Sequence, residues 1–257
     1  MHQNLLSKNI RKLRTLQWEH PTPMLRIGTA GWTLPKQNAR LFPPEGSHLE
    51  RYASTLHCVE INSSFHRPHR LKTWQRWAAS TPPDFRFSVK LPKTVTHTAK
   101  LINTGALLQT FLEQAQGLGE KLGVLLVQLP PSLAFDEGVA HEFFTTLREL
   151  LPAGGDAMNR IALEPRHATW FTAVADRLLR DFNVSRVAAD PPKGSPLAAK
   201  PGGDQTLHYY RLHGAPRTYY SDYGEHFLVD LAASLRKAKT SETWVIFDNT
   251  ALGHATP

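Results

Sequence analysis

Apolar residues follow two rhythms along this chain. Short runs that are apolar at alternate or successive positions read as strands: LRIGTAG (25–31), HCVEIN (57–62), FRFSVKL (85–91), GVLLVQL (123–129), RIALEP (160–165), VSRVAAD (184–190), HYYRLHG (208–214) and WVIFDN (244–249). Between them, SHLERYASTL, LKTWQRWAAS, INTGALLQTFLEQAQGL, VAHEFFTTLRELL, WFTAVADRLLRDF and EHFLVDLAASLRKA space their apolar residues three and four apart, the period of a half-buried helix. Strand and helix alternating in this way predict parallel βαβ units. Eight strands predict closure into a (β/α)8 TIM-like barrel, an α/β fold, with an open doubly wound sheet as the competing architecture.

Two irregularities are expected. DPPKGSPLAAKPGGDQT, between the sixth and seventh runs, is too rich in Pro and Gly for a regular helix, so the sixth crossover helix is missing or short. Few residues follow Asn249, too few for an eighth helix. Residues 1–24 form a basic extension in which Leu6, Ile10 and Leu13 stand at helical spacing, predicting an extra N-terminal helix that could cover the gap at the barrel wall or floor; residues 25–257 read as one barrel domain.

Side chains alternate across a strand, which sorts each run into a helix-facing and an axis-facing set. In RIALEPR, Ile161, Leu163 and Pro165 share one face while Ala162, Glu164 and Arg166 share the other. The same reading turns Val59 and Ile61 outward and Cys58, Glu60 and Asn62 inward, and sets Phe85, Phe87 and Val89 against Ser88 and Lys90. It also sends Gln128, Asp190, Arg211 and His213 inward, and leaves either Asp248 or Asn249 facing the axis. The polar residues gather at the carboxyl ends of the strands, where parallel α/β folds bind ligands. In the loops, Trp32 of GTAGWT offers a flat surface, His66, Arg67, His69 and Arg70 follow the second strand, Thr96 and His97 follow the third, and His167 follows the fifth.

These positions predict chemistry. Glu164 and Glu60 are the acid/base candidates, since carboxyl groups in a partly dry site can have raised pKa values; His213 is a candidate proton shuttle and Lys90 a further catalytic candidate. Arg166, Arg211 and Lys90 suit a phosphate or carboxylate, with His167, Asn62, Gln128, Asp190, Trp32, His97 and Asn249 as further binding candidates. Imine chemistry at Lys90 requires desolvation or a neighbouring cation, and the nearby carboxylates argue against it. Charges that neutralise one another around a barrel axis are the purely structural alternative.

Composition narrows the classes. A formal charge of +8 and a pI near 9.7 favour phosphorylated or polyanionic partners, nucleic acid included. The single cysteine, Cys58, excludes an intrachain disulfide and a multi-cysteine zinc site, and the expected compartment is the reducing cytoplasm. No segment approaches the roughly 18 apolar residues that span a membrane. The sequence contains no GxGxxG fingerprint, HxH, HExxH or GxSxG motif, so no metal ligand or cofactor is assigned.

At GTAGWT, VEINSSFHR, FSVKLPKTVTH, LLVQLPPS, LEPRHATWF, YYRLHG and FDNT the chain resembles the YecE-like family, classed under domain of unknown function 72, from about Leu25 onward. The resemblance implies a TIM barrel without an established activity. It places the family's characteristic polar residues on Glu60, Asn62, Lys90, His97, Gln128, Glu164, Arg166, His167, Arg211, His213 and Asn249. His66 stands where the family often has Tyr, and Leu41 precedes Phe42 where a Phe-Tyr pair is common. Family members usually continue past FDNT, so the chain is expected to stop short at Pro257. The functional expectation is an enzyme, of hydrolase, lyase or isomerase type, acting at the barrel mouth on a small polar, anionic substrate; the alternative is a non-catalytic protein binding nucleic acid or a phosphorylated ligand.

Overall fold

The computed structural model describes residues 24–151, 160–238 and 240–256. The helix expected near the N-terminus lies outside the described residues.

The strands are β1 (Met24–Ala30), β2 (Cys58–Ile61), β3 (Arg86–Lys90), β4 (Leu122–Gln128), β5 (Ile161–Glu164), β6 (Val184–Arg186), β7 (Ala188–Asp190), β8 (Gly202–Gly203), β9 (Leu207–Leu212) and β10 (Glu242–Phe247). They form one sheet in the order β7-β9-β10-β1-β2-β3-β4-β5-β6-β8. VSRVAAD, expected as a single strand, divides at Val187. Its first half pairs with β5 and its second with β9, so the two ends of the sheet approach one another and nearly close a TIM-like barrel. Apart from the short antiparallel ladder between β6 and β8, every pairing is parallel.

The helices are α1 (His48–Ala53), α2 (Ser63–His66), α3 (Leu71–Ala79), α4 (Gly105–Ala115), α5 (Glu137–Leu150), α6 (Ala173–Asp181) and α7 (Glu225–Lys237). Polar caps fix several starts: Ser47 and Glu50 form a reciprocal capping box on α1, and Asp136 and Thr172 accept from the first turns of α5 and α6. The sixth crossover carries a 3-10 turn, Pro196–Ala199, and β8 in place of a helix, as its Pro and Gly content predicts. Turns follow β10.

Alternation along the strands divides the core. Val59, Ile61, Phe87, Val89, Leu163 and their neighbours pack beneath the helices, while Cys58, Val124, Leu126, Ala162, Val187, Tyr209, Trp244 and Ile246 fill the barrel. Gly123 makes room inside: a Cβ there would lie 2.7 Å from the Trp244 ring, and the β3–β4 register shifts beside it. At the amino end of the strands Glu242 accepts from Arg26 Nε at 2.6 Å and Trp244 Nε1 at 3.0 Å, and Arg160 pairs with its other oxygen. The barrel thus has a charged floor, an apolar middle and, above it, the charged mouth.

Candidate functional site

Arg211, on the inward face of β9 and only 1% exposed, is the centre of the mouth. Its Nε and Nη2 donate to the two oxygens of Glu60 on β2 at 2.9 and 2.7 Å, Nη1 donates to Glu164 Oε2 on β5, and Nη2 also reaches Asp248 Oδ2 at 3.2 Å. Tyr209, two residues earlier on the same face, places its hydroxyl 2.9 Å from Glu60 Oε2 and 2.8 Å from Ser88 Oγ. Burial first, then the Glu60 charge, keeps that phenol protonated, so it donates to the carboxylate.

A second ring of contacts surrounds Glu164. Its Oε1 takes Arg166 Nε at 2.9 Å and Arg166 Nη2 at 2.8 Å, and lies 3.3 Å from His213 Nε2. The other His213 nitrogen, Nδ1, is 2.9 Å from Asp248 Oδ2. Burial opposes the charged form of Glu164, but Arg211, then Arg166 and His213, outweigh it and hold the carboxyl well below its usual range. The raised carboxyl pKa expected from a dry site is therefore reversed here: Glu164 is a committed carboxylate. Burial and the Arg211 charge both disfavour imidazolium at His213, yet its bonds to Asp248 and Glu164 prevail and raise its pKa.

Lys90 stands apart from this network. Its Nζ lies 4.0 Å over the Phe65 ring at the carboxyl end of β3, and among the described residues no side-chain or backbone oxygen is within hydrogen-bond reach of it. Arg211 has already taken the carboxylates of Glu60 and Glu164. Burial, then the Arg211 charge, brings the Lys90 amine down to about 8. Burial also lowers His97, with Lys90, Arg166 and Lys93 as the cations pressing on it. His97 is joined to Thr96 Oγ1 at 2.8 Å and meets Phe65 edge-on at 4.9 Å between centroids.

The remaining predicted residues divide. Gln128 stands at the mouth, its Nε2 donating to Leu129 O at 3.0 Å, and Asn62 has a buried Oδ1 with no partner among the described residues. His167 uses Nδ1 to cap the 3-10 turn Ala168–Phe171. Trp32 packs against the outer core with its ring edge-on to Trp77 at 5.0 Å. The inward placement of Asp190 needs correction: it is registered with Leu212, an outer-core residue, and accepts from the Tyr223 hydroxyl at 2.8 Å. Alternation from Val187, which faces the axis, puts Ala189, registered with Arg211, on the axial face and Asp190 on the outer one. On the last strand Asp248 faces the axis, whereas Asn249 donates to Ser221 O at 3.1 Å and keeps a buried Oδ1 with no partner among the described residues. Sequence reasoning missed Tyr209 and Phe65; Tyr209 was legible from the alternation that selected Arg211 and His213.

The sequence pattern described as "Protein of unknown function DUF72" matches residues 26–257. The chain belongs to the DUF72 family. Among curated relatives, it is 35% identical to the UPF0759 protein YecE of Escherichia coli K12 over 107 residues, covering 42% of this chain and 38% of that protein. It is 29% identical to the UPF0759 protein YunF of Bacillus subtilis over 161 residues, covering 58% and 53%. The matched part thus spans about half or less of those relatives. Among solved structures, a DUF72 protein of Enterococcus faecalis superposes with a TM-score of 0.73 at 21% identity, covering 90% of this chain and 91% of that one. A DUF72 protein of Thermotoga maritima gives 0.71 at 25% identity, covering 90% and 95%. These neighbours share the barrel. Among the described residues no helix is long and apolar enough to cross a membrane.

Proposed function

We propose that the mouth of the barrel is the active site of an enzyme acting on a small anionic substrate. The observation that carries this reading is the position of Lys90: a lysine 9% exposed makes no contact ion pair among the described residues, while Arg211 engages both nearby carboxylates. Burying an ammonium in this way costs stability, and a barrel with no ligand to hold would do better with an apolar side chain there.

The division of labour differs from the sequence expectation. Arg211, buried and committing four of its five N–H groups to Glu60, Glu164 and Asp248, organises the site and leaves the ligand to other groups. Lys90 and the outer edge of Arg166, 18% exposed, form the cationic side that an anion would meet, with the His97 ring, favoured in its neutral form, beside them. Guanidinium and ammonium together suit a phosphate or carboxylate. His213, whose bonds to two carboxylates raise its pKa and favour the imidazolium, is the candidate acid.

The test is a thermal-shift panel of inorganic phosphate, small carboxylates, phosphorylated sugars and a short oligonucleotide on the wild type and on Arg166→Ala and Lys90→Ala. The expected outcome is a rise in Tm with at least one small anion, lost in both variants, because a ligand that binds only the folded state stabilises it by mass action. A rise that survives both substitutions, or none with any anion, would reject this reading. A response to the oligonucleotide alone, weakening steeply with salt, would replace it with nucleic-acid binding.

A further inference from the structure

We propose that Lys90 forms an imine with the carbonyl carbon of a small anionic aldehyde or ketone held at the mouth. The proposal rests on the reading of the mouth as an anion-binding active site and names the reactive group of its substrate.

Three observations carry it. Lys90 Nζ has an aromatic face on one side, the Phe65 ring at 4.0 Å, and no hydrogen-bonding oxygen among the described residues, so its lone pair is not committed once the amine is neutral. The carboxylates that would otherwise hold it as an ammonium are bound by Arg211 and Arg166. Arg166, on the neighbouring cationic side, already supplies a permanent charge for the anion. What lysine adds to arginine in such a place is the ability to lose its proton and attack. An amine that titrates at about 8 is neutral at pH 7 to an extent on the order of a hundredfold greater than an ordinary lysine. The sequence alone argued against this chemistry because Glu60 and Glu164 stand nearby; the structure shows both carboxylates engaged elsewhere.

The step balances without any oxidant. The neutral amine gives its electron pair to the carbonyl carbon, a C–N bond forms, and the carbonyl π pair moves to oxygen. The oxygen then leaves as water, having taken one proton from Nζ and one from solvent, and the product is a protonated imine. That cation draws electrons from the adjacent carbon, the requirement for breaking or moving a bond there, so the reaction class is a lyase or isomerase of a carbonyl acid or carbonyl phosphate.

The test uses the wild-type protein at neutral pH with glyoxylate, pyruvate or pyridoxal 5′-phosphate as probe, reduction by cyanoborohydride, and peptide mapping by mass spectrometry. The expected result is an adduct on Lys90 formed at least about tenfold faster than on surface lysines, absent in Lys90→Arg and Lys90→Met. Labelling spread over surface lysines, with Lys90 unmodified, would overturn the proposal. Propanal, a neutral aldehyde, separates it from the reading beneath it. Preferential trapping of Lys90 by propanal as efficiently as by glyoxylate, with no competition from inorganic phosphate, would keep the imine and remove the anion site. Stabilisation by glyoxylate without trapping would keep the site and remove the imine.

Discussion

Arg211 and Glu60 face each other across the barrel through two hydrogen bonds, Nε to Oε2 at 2.9 Å and Nη2 to Oε1 at 2.7 Å. This fork joins β9 to β2, which are not neighbours in the sheet, and it does so where both residues are almost wholly out of water. Removing the guanidinium would leave Glu60 with the Tyr209 hydroxyl in place of a cation, and would strip Glu164 and Asp248 of one cation each while Arg166 and His213 stay beside them. Arg211→Ala is therefore expected to lose about 3–5 kcal/mol of stability, the usual cost of stripping one partner from a buried ion pair. Urea unfolding measures it; a loss below about 1 kcal/mol would mean that the network contributes little, as exposed pairs do.

Lys90→Met should act in the opposite direction. The folded protein holds the Lys90 amine at about 8, below the ordinary lysine value, with Arg211 and Arg166 as neighbouring cations and Glu60 and Glu164 as opposing anions. Between those two values the unfolded chain binds more protons, so the stability contributed by this group rises with pH across that window. Below about 8 the buried charge is a standing cost of up to about 3 kcal/mol. The Met variant should unfold at higher urea concentration than the wild type at pH 7, with the advantage shrinking as pH passes 8 toward 10. A destabilised variant at pH 7 would show that Lys90 is a supporting cation.

His213 gives the reverse pH signature. Its raised pKa means that the folded state holds the proton more tightly, so its contribution is complete below the unfolded histidine value of about 6.5 and is lost as pH rises through the folded value. The groups facing it are Asp248, Glu164 and Arg211. The stability gap between wild type and His213→Gln should be wider at pH 6 than at pH 9. An equal gap at both would indicate that the ring acts through packing alone.

Tyr209→Phe isolates one hydroxyl and its two contacts. It removes the hydroxyl between Glu60 Oε2 and Ser88 Oγ without changing the ring that stacks on Trp244 at 6.0 Å between centroids. A loss of about 1–3 kcal/mol is expected, because Glu60 and Ser88 both lose a buried partner. Thermal or urea unfolding reads it directly; no change would mean that Arg211 alone satisfies the carboxylate.

The fold was legible because its signals are local. Period-two alternation placed Glu60, Glu164, Arg211 and His213 on the axial face, and Pro and Gly marked the sixth crossover as irregular. Asp190 went astray through the phase given to its run: Val184, Ala188 and Asp190 share the outer face while Val187 and Ala189 face the axis, so the alternation continues unbroken where the strand changes neighbours. The partnership of Arg211 with three carboxylates, and the solitude of Lys90, depend on how far around the barrel each strand end points. One-dimensional spacing holds no angle, so a list of mouth residues was available but their pairing was not.

The break at Val187 also bears on how the barrel opens. On each side the circle is completed by a three-residue strand, β6 against β5 and β7 against β9, whereas β1 and β10 share six registered positions. A breathing motion that separates β7 from β9 breaks few ladder bonds, yet it draws Ala189 away from its register partner Arg211. Amide protons along this seam should accordingly exchange with solvent well before those between β1 and β10, making the sixth strand the barrel's hinge line.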